Sequence, residues 1–270
     1  MLDDGLPSYD DPPVQEVAVS VQFAPLPPSF LVHYGRIWTE LEADYPRCDV
    51  QPPLAPMQIA PARPMIRFDL DAVPTARAWF ISDDDTRLVQ LQPDRVAFNW
   101  RRRGDAAYPR WSEVSAEFNR IVALTTAYCE SNGFDALRHR AVEVTYHNIH
   151  LLSPDERPEQ YLRAFREDRG TTEEGPPVGL RLQEIRTMTQ DNFSGSLVSD
   201  AFLADNTDGN TDGKELHLQL VATIDLANDT APNAVGRAAE LGRATIVRSF
   251  THQTTEYAHD RWRLIRGNDD

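Results

Sequence analysis

The sequence predicts an α+β protein made of two halves, each a β-α-β(meander)-α unit. Two long segments have apolar residues at helical spacing, and the shorter segments between them alternate apolar and polar residues as strands do. The same order of elements occurs twice, although residue identity between the halves is negligible. We expect an acidic disordered tail over 1–13, a first half over 14–135, a second half over 136–266 and a tail over 267–270.

The first half is predicted to begin with a strand over Glu16–Phe23, in which Val and Phe alternate with polar or small residues. A proline-rich turn then introduces a helix over about Phe30–Asp44. Acidic and proline-containing turns separate the strands of an antiparallel meander, which are Met65–Leu70, Ala76–Ser82, Leu88–Gln92 and Val96–Arg101. The amphipathic helix Trp111–Asn132 closes the half, since Asn132 and Gly133 supply a C-terminal stop.

The second half repeats this order. A strand over Arg140–Leu151 is followed by a short helix over Pro158–Glu167. Three further strands are predicted at Leu180–Gln190, Gly195–Leu203 and Glu215–Leu226. The last element is a long helix over Ala234–Trp262, with Pro232 just upstream as an initiator.

A long helix that follows a meander packs across one face of its sheet. Two such halves side by side make the pseudo-symmetric arrangement of the TATA-binding-protein fold, which is an analogy of shape and does not define a function. A helix-grip fold with a single deep cavity is the structural alternative.

The composition is that of a globular chain of 270 residues, 41% of them hydrophobic. The first eleven residues contain no apolar run, so the sequence predicts neither a signal peptide nor a membrane span, and we expect a cytoplasmic protein. Cys48 and Cys129 are far apart and form no CxxC motif, which favours free thiols over a zinc site. The net charge of −15 argues against nucleic acid as a partner.

The acidic stretch DNTDGNTDGKE raises the question of a calcium site. Asp208, Asn210 and Asp212 stand at the first, third and fifth positions of a calcium-binding loop, but the closing twelfth position is the neutral Gln219. The strand pattern that follows also differs from the helix that such a loop requires. We therefore expect residues 205–214 to form a mobile hairpin loop without a metal.

Several stretches resemble a sporadically distributed family of uncharacterised bacterial proteins of about 250–270 residues. They are EVAVSVQFAPLP near the start, LQPDRVAFNWRRRGDAAYPRWSEVSAEF in the middle and AVEVTYHNIHLL after it. The central block is the most specific, with a strand that ends in Asn99-Trp100-Arg101, a loop with Tyr108-Pro109 and then a helix. The resemblance implies a shared fold without an assigned chemistry, and a place on accessory genomic islands where defence and toxin–antitoxin functions are common.

The candidate site residues are few. Arg101, Arg102 and Arg103 form the one basic run, which we expect to contact an acidic partner or ligand. His147 and His150 form the motif HNIH, but residues three apart on a strand point to opposite faces, so we predict no shared metal. Trp100 continues the alternation of the strand before it and is expected in the core.

No catalytic motif, and hence no catalytic residue or cofactor, is predicted from the sequence. The leading hypothesis is a non-enzymatic protein-interaction or sensing component, as part of a bacterial defence or toxin–antitoxin module. The alternative is a small-molecule-binding protein or an enzyme with a dispersed site between sheet and helices. We expect a protein partner and no membrane, and the sequence leaves the oligomeric state open.

Overall fold

A computed structural model describes residues 5–57, 76–165, 181–190, 192–205, 213–226, 231 and 233–265. Within them the fold is α+β. The strands are β1 (Ser8–Tyr9), β2 (Val14–Phe23), β3 (Arg47–Gln51), β4 (Arg77–Ile81), β5 (Arg87–Gln92), β6 (Arg95–Arg101), β7 (His139–Leu152), β8 (Arg181–Gln190), β9 (Phe193–Asp205), β10 (Lys214–Asp225) and β11 (Leu264–Ile265). The helices are α1 (Tyr34–Thr39), α2 (Arg110–Ser131), α3 (Ala234–Gln253) and α4 (Glu256–Arg261), with 3₁₀ turns at Pro28–His33 and Pro158–Gln160.

Nine strands form one antiparallel sheet in the order β3-β4-β5-β6-β2-β7-β10-β9-β8. β2 and β7 pair at the centre, so the two parts of the chain share a continuous sheet. The alternation in β2 puts Val17, Val19 and Val21 on the covered face, where all three are fully buried. Trp100 lies opposite Val17 and is 4% exposed, which confirms that it belongs to the core.

The two long helices cover the same face of the sheet. α2 packs on β6 and β2, whereas α3 packs on β7 and β10. α3 comes unusually close to the sheet at Gly242, where an added Cβ would lie 2.9 Å from Val144 Cγ2. The absence of a side chain at this position therefore sets the depth at which α3 sits.

The helix predicted over Ala234–Trp262 is broken into α3 and α4. Thr254 and Thr255 are extended between them, and Thr255 Oγ1 accepts a hydrogen bond from the Ala258 amide as the N-cap of α4. Thr254 also forms an isolated bridge with Leu162. The apolar stripe continues past the break, but the capping threonine and this bridge favour a change of direction.

Several other boundaries differ. The helix predicted over Phe30–Asp44 is a 3₁₀ turn and a short α1 that ends at Thr39, and the one predicted over Pro158–Glu167 is described only as a 3₁₀ turn at its start. β3 was not predicted. The strand predicted at Met65–Leu70 lies outside the described residues.

The prediction of a disordered tail over 1–13 is wrong for the part that the structure describes. Ser8 and Tyr9 form β1, which pairs with β11 near the other end of the chain. The Tyr9 hydroxyl lies 2.9 Å from Thr251 Oγ1, and its ring meets Phe250 edge-on with centroids 5.4 Å apart. A single buried aromatic residue thus anchors an acidic segment.

The hairpin between β9 and β10 is confirmed by the pairing of Asp205 with Lys214. Residues 206–212, which hold the three candidate calcium ligands, lie outside the described residues, as does the tail at 267–270. Both cysteines are free thiols, as predicted. None of the described helices is long and apolar enough to span a bilayer.

Candidate functional site

A cavity of about 740 Å³ lies between the covered face of the sheet and the helices α2 and α3. β1 and the segment that follows it form a third wall, and β11 contributes Ile265. This volume is in the range of pockets that hold small molecules. The cavity lies at the centre of the sheet, because its floor comes from β2, β7 and β10.

Most of the cavity wall is apolar. Val14 and Leu220 provide the floor, Trp111 comes from α2, and Ile246 and Phe250 come from α3. Each of these side chains is buried, and the rings are held by packing against the core. The cavity therefore fits a ligand with an apolar body.

Two tyrosine hydroxyls meet at the floor of the cavity. The hydroxyl oxygens of Tyr108 and Tyr146 are 2.9 Å apart, and Trp100 packs edge-on behind Tyr108. Burial raises the pKa of Tyr146 to about 12 and also raises the pKa of Tyr108 well above its usual value. Both hydroxyls are thus protonated at neutral pH and act as hydrogen-bonding groups.

In the part of the chain that the structure describes, three charged side chains line the cavity: Arg110, Glu240 and Arg243. The positive charge of Arg243 lies close to Tyr146, where it acts to lower the pKa of that hydroxyl against the effect of burial. Glu240 Oε2 accepts a hydrogen bond of 2.7 Å from the indole N–H of Trp111 and so links α3 to α2. With one carboxylate against two guanidinium groups, the lining favours an anionic group on the ligand.

Arg110 is the first residue of α2 and has an unusual backbone conformation, with φ at 69°. This region is unfavourable for a residue with a side chain, and such strain is found preferentially at functional sites. Arg110 Nη1 donates a hydrogen bond of 2.9 Å to the carbonyl of Tyr9. The strained residue therefore ties the β1 wall to the start of α2.

The predicted basic run does not line this cavity, although Arg102 contacts two residues that do, and the run is held by contacts within the chain. Asp85, in the turn between β4 and β5, forms ion pairs with Arg101 and Arg103 and also with Arg47. Arg102 donates hydrogen bonds to the carbonyls of Val14 and Pro12. These contacts explain how the run is positioned, while its role in contacting a partner stays a prediction.

The two histidines of HNIH do not meet. His147 Nε2 instead lies 3.1 Å from Nδ1 of His217 on β10, and His217 Nε2 lies 2.9 Å from a carboxylate oxygen of Glu215. His150 packs on Tyr161, with ring centroids 4.1 Å apart. Burial and the neighbouring His217 lower the pKa of His147, which keeps this ring neutral at pH 7. Among the described residues no group of three or more His, Cys, Asp or Glu could hold a metal ion.

Sequence reasoning missed the cavity residues, although it singled out the block in which five of them occur. The central stretch contains five residues that line the cavity, namely Tyr108, Arg110, Trp111, Ser112 and Ser115. Glu240 and Arg243 gave no signal, because they look like solvated positions of an amphipathic helix. Comparison with protein-family profiles, with curated proteins and with solved structures gave no match.

Proposed function

We propose that this protein is a non-enzymatic sensing component that binds a small organic molecule in the central cavity. The molecule has an apolar body and one anionic group, such as a carboxylate. The observation that carries the proposal is the placement of Arg110 and Arg243 in the wall of a mostly apolar cavity of about 740 Å³. Charge-assisted hydrogen bonds from guanidinium groups would fix the anion, and burial of the apolar body would add affinity.

The chemistry of the lining supports binding over turnover. Burial raises the pKa of Tyr9, Tyr108 and Tyr146, so the tyrosines provide no base at neutral pH. The described lining residues include no histidine and no cysteine. Glu240 is engaged by Trp111, which gives its carboxylate a role in holding the two helices together.

The proposal extends to the architecture. The strand order supports two related halves. Outward from β2 the strands are β6, β5, β4 and β3, and outward from β7 they are β10, β9 and β8. On both sides of the central pair, the strand that comes last in the chain therefore lies innermost. The arrangement of the TATA-binding-protein fold has this character, and the cavity would then lie where the halves meet. The family resemblance supports a cytoplasmic role in a bacterial defence or toxin–antitoxin module, in which the bound molecule would be the signal.

A thermal-shift screen with matched ligands tests the binding proposal. The probes are decanoate and naphthylacetate, each compared with its uncharged amide. A ligand at about 100 times its Kd stabilises the folded state by about 2.7 kcal/mol, which a melting curve resolves. We expect at least one carboxylate to raise Tm clearly more than its amide.

Calorimetry on three variants then locates the site. Arg110→Gln and Arg243→Gln each remove a guanidinium from the cavity, and either change is expected to weaken carboxylate binding by about tenfold or more. Arg248→Gln is the matched control, because Arg248 is on the same helix α3 but exposed. The proposal fails if no carboxylate is preferred over its amide, or if the two cavity variants bind as tightly as the control.

A further inference from the structure

The strand β8 (Arg181–Gln190) lies at one edge of the sheet. Among the residues that the structure describes, it is the last strand of the sheet and β9 is its only partner strand. Every residue of β8 except Met188 is exposed, including the apolar side chains of Leu182 and Ile185. A strand edge of this length offers a row of backbone donors and acceptors to another strand. Proteins usually shield such an edge, so the exposure of β8 indicates that another strand binds there.

The side chains of β8 are arranged so that the strand is complementary to an antiparallel copy of itself. Glu184 and Arg186 flank Ile185 and form an ion pair of 2.8 Å within the strand. Leu182 and Met188 lie further out, at equal distances from Ile185. These four side chains share one face of the sheet because they are separated by even numbers of residues, whereas Ile185 lies on the other face.

We propose that β8 pairs antiparallel with β8 of a second copy of this chain, centred on Ile185. In such a dimer the two-fold axis is perpendicular to the sheet, so each face of one copy continues into the same face of the other. Directly opposed residues then lie on the same face, which requires that one residue of β8 lies opposite the same residue of the second copy at the axis. Centring on Ile185 puts Glu184 opposite Arg186 of the second copy, and Arg186 opposite its Glu184. The same register puts Leu182 opposite Met188 of the second copy.

The neighbouring registers are unfavourable. Centring on Glu184 would oppose two carboxylates, and centring on Arg186 would oppose two guanidinium groups. Directly opposed like charges destabilise a pair of strands, whereas opposite charges and apolar pairs stabilise it. Among these three registers the charges therefore favour the one centred on Ile185.

The other edge of the sheet is a weaker candidate for such pairing. β3 has five residues where β8 has ten. One of its side chains, Arg47, is drawn towards the turn at Asp85 by an ion pair. The self-pairing of β8 would join two nine-stranded sheets edge to edge, and it is independent of ligand binding in the central cavity.

Disulfide trapping tests the register. In a Cys48→Ser background, Ile185→Cys places the two thiols of a dimer on directly opposed residues, whose Cα atoms are about 4.5–5.5 Å apart in an antiparallel pair. Leu182→Cys is the control, because its two copies would be six residues out of register, or about 20 Å apart. We expect covalent dimer from Ile185→Cys under mild oxidation and little from Leu182→Cys. Equal trapping of both variants, or none from Ile185→Cys, overturns the proposal.

Sedimentation equilibrium with charge reversals tests the complementarity. Arg186→Glu opposes only carboxylates and is expected to weaken dimerisation by about tenfold or more. The double variant Glu184→Arg with Arg186→Glu restores opposite charges across the axis and is expected to recover the dimer. A wild-type chain that stays monomeric at millimolar concentration, or a double variant as weak as the single one, refutes self-pairing. Because all changed residues are exposed, circular dichroism should show unaltered folding.

Discussion

Substitution of Gly242 by alanine measures how tightly α3 is held against the sheet. An alanine Cβ at this position would lie 2.9 Å from Val144 Cγ2 and 3.4 Å from Val144 Cβ. Carbon atoms in ordinary contact are about 3.5–4.0 Å apart, so the new methyl group overlaps its neighbour by at least roughly 0.6 Å. Either the Val144 side chain or the whole helix must therefore move.

Two opposing contributions decide the magnitude. Alanine stabilises a helix relative to glycine by roughly 0.5–1 kcal/mol. Overpacking in a buried site costs about 1–3 kcal/mol. We therefore expect Gly242→Ala to lower the free energy of unfolding by about 1 kcal/mol. Gly236→Ala on the same helix is the matched control, because its Cβ would meet only Asn119 Oδ1, at an ordinary 3.8 Å.

Urea unfolding of both variants provides the measurement. The free energy of unfolding of Gly236→Ala is expected to equal or exceed that of the wild type, and to exceed that of Gly242→Ala by about 1–3 kcal/mol. In a Val144→Ala background the obstructing methyl groups are gone, so Gly242→Ala should become neutral or stabilising. If the two glycine variants unfold with the same free energy, the close approach of α3 does not limit stability, and the reasoning is refuted.

The remaining predictions concern a cap and a titration. Thr255→Ala removes the N-cap of α4 and is expected to lower the free energy of unfolding by about 1 kcal/mol, whereas Thr255→Ser should retain most of it. Partial burial opposes ionisation of Glu156, but hydrogen bonds from the Tyr161 hydroxyl and the Ser153 amide lower its pKa to about 2 from 4.5. A depressed carboxyl pKa stabilises the fold above about pH 4.5, and this contribution is lost as pH falls towards 2. Glu156→Gln should flatten the pH dependence of stability in that window; an unchanged dependence would contradict the assignment.

The regular elements could be predicted where their signal is local. The alternation of leucines in β10 reports burial on one face, and the stripe of α2 reports a helix on a sheet, so both were predicted with ends close to those observed. The coarse α+β class with a large antiparallel sheet follows from the same patterns. Periodicity depends only on residues that are close in sequence, so it can be recognised without knowing which element packs against them.

The predictions were wrong where a contact between residues far apart in sequence determines the local structure. The stripe of α3 continues to Tyr257, yet that side chain is 43% exposed because the chain turns at Thr254. The residues around Thr254 in the sequence do not predict its bridge to Leu162. β1 was likewise predicted to be disordered from its acidic composition, while the docking of Tyr9 on Phe250 joins residues that are 241 positions apart.

The candidate site is built from residues with ordinary local patterns and from contacts between distant parts of the chain, which explains why no sequence motif indicated it. Its floor is built from strands whose inward residues look like ordinary core, and Tyr146 continues the buried alternation of Val142 and Val144. Its charged residues lie on helices at positions that look solvated. Its third wall comes from the two ends of the chain, where β1 meets β11. A site assembled from residues of seven described elements has no spacing to recognise, so it becomes visible only when Arg243 and Tyr146 are placed side by side.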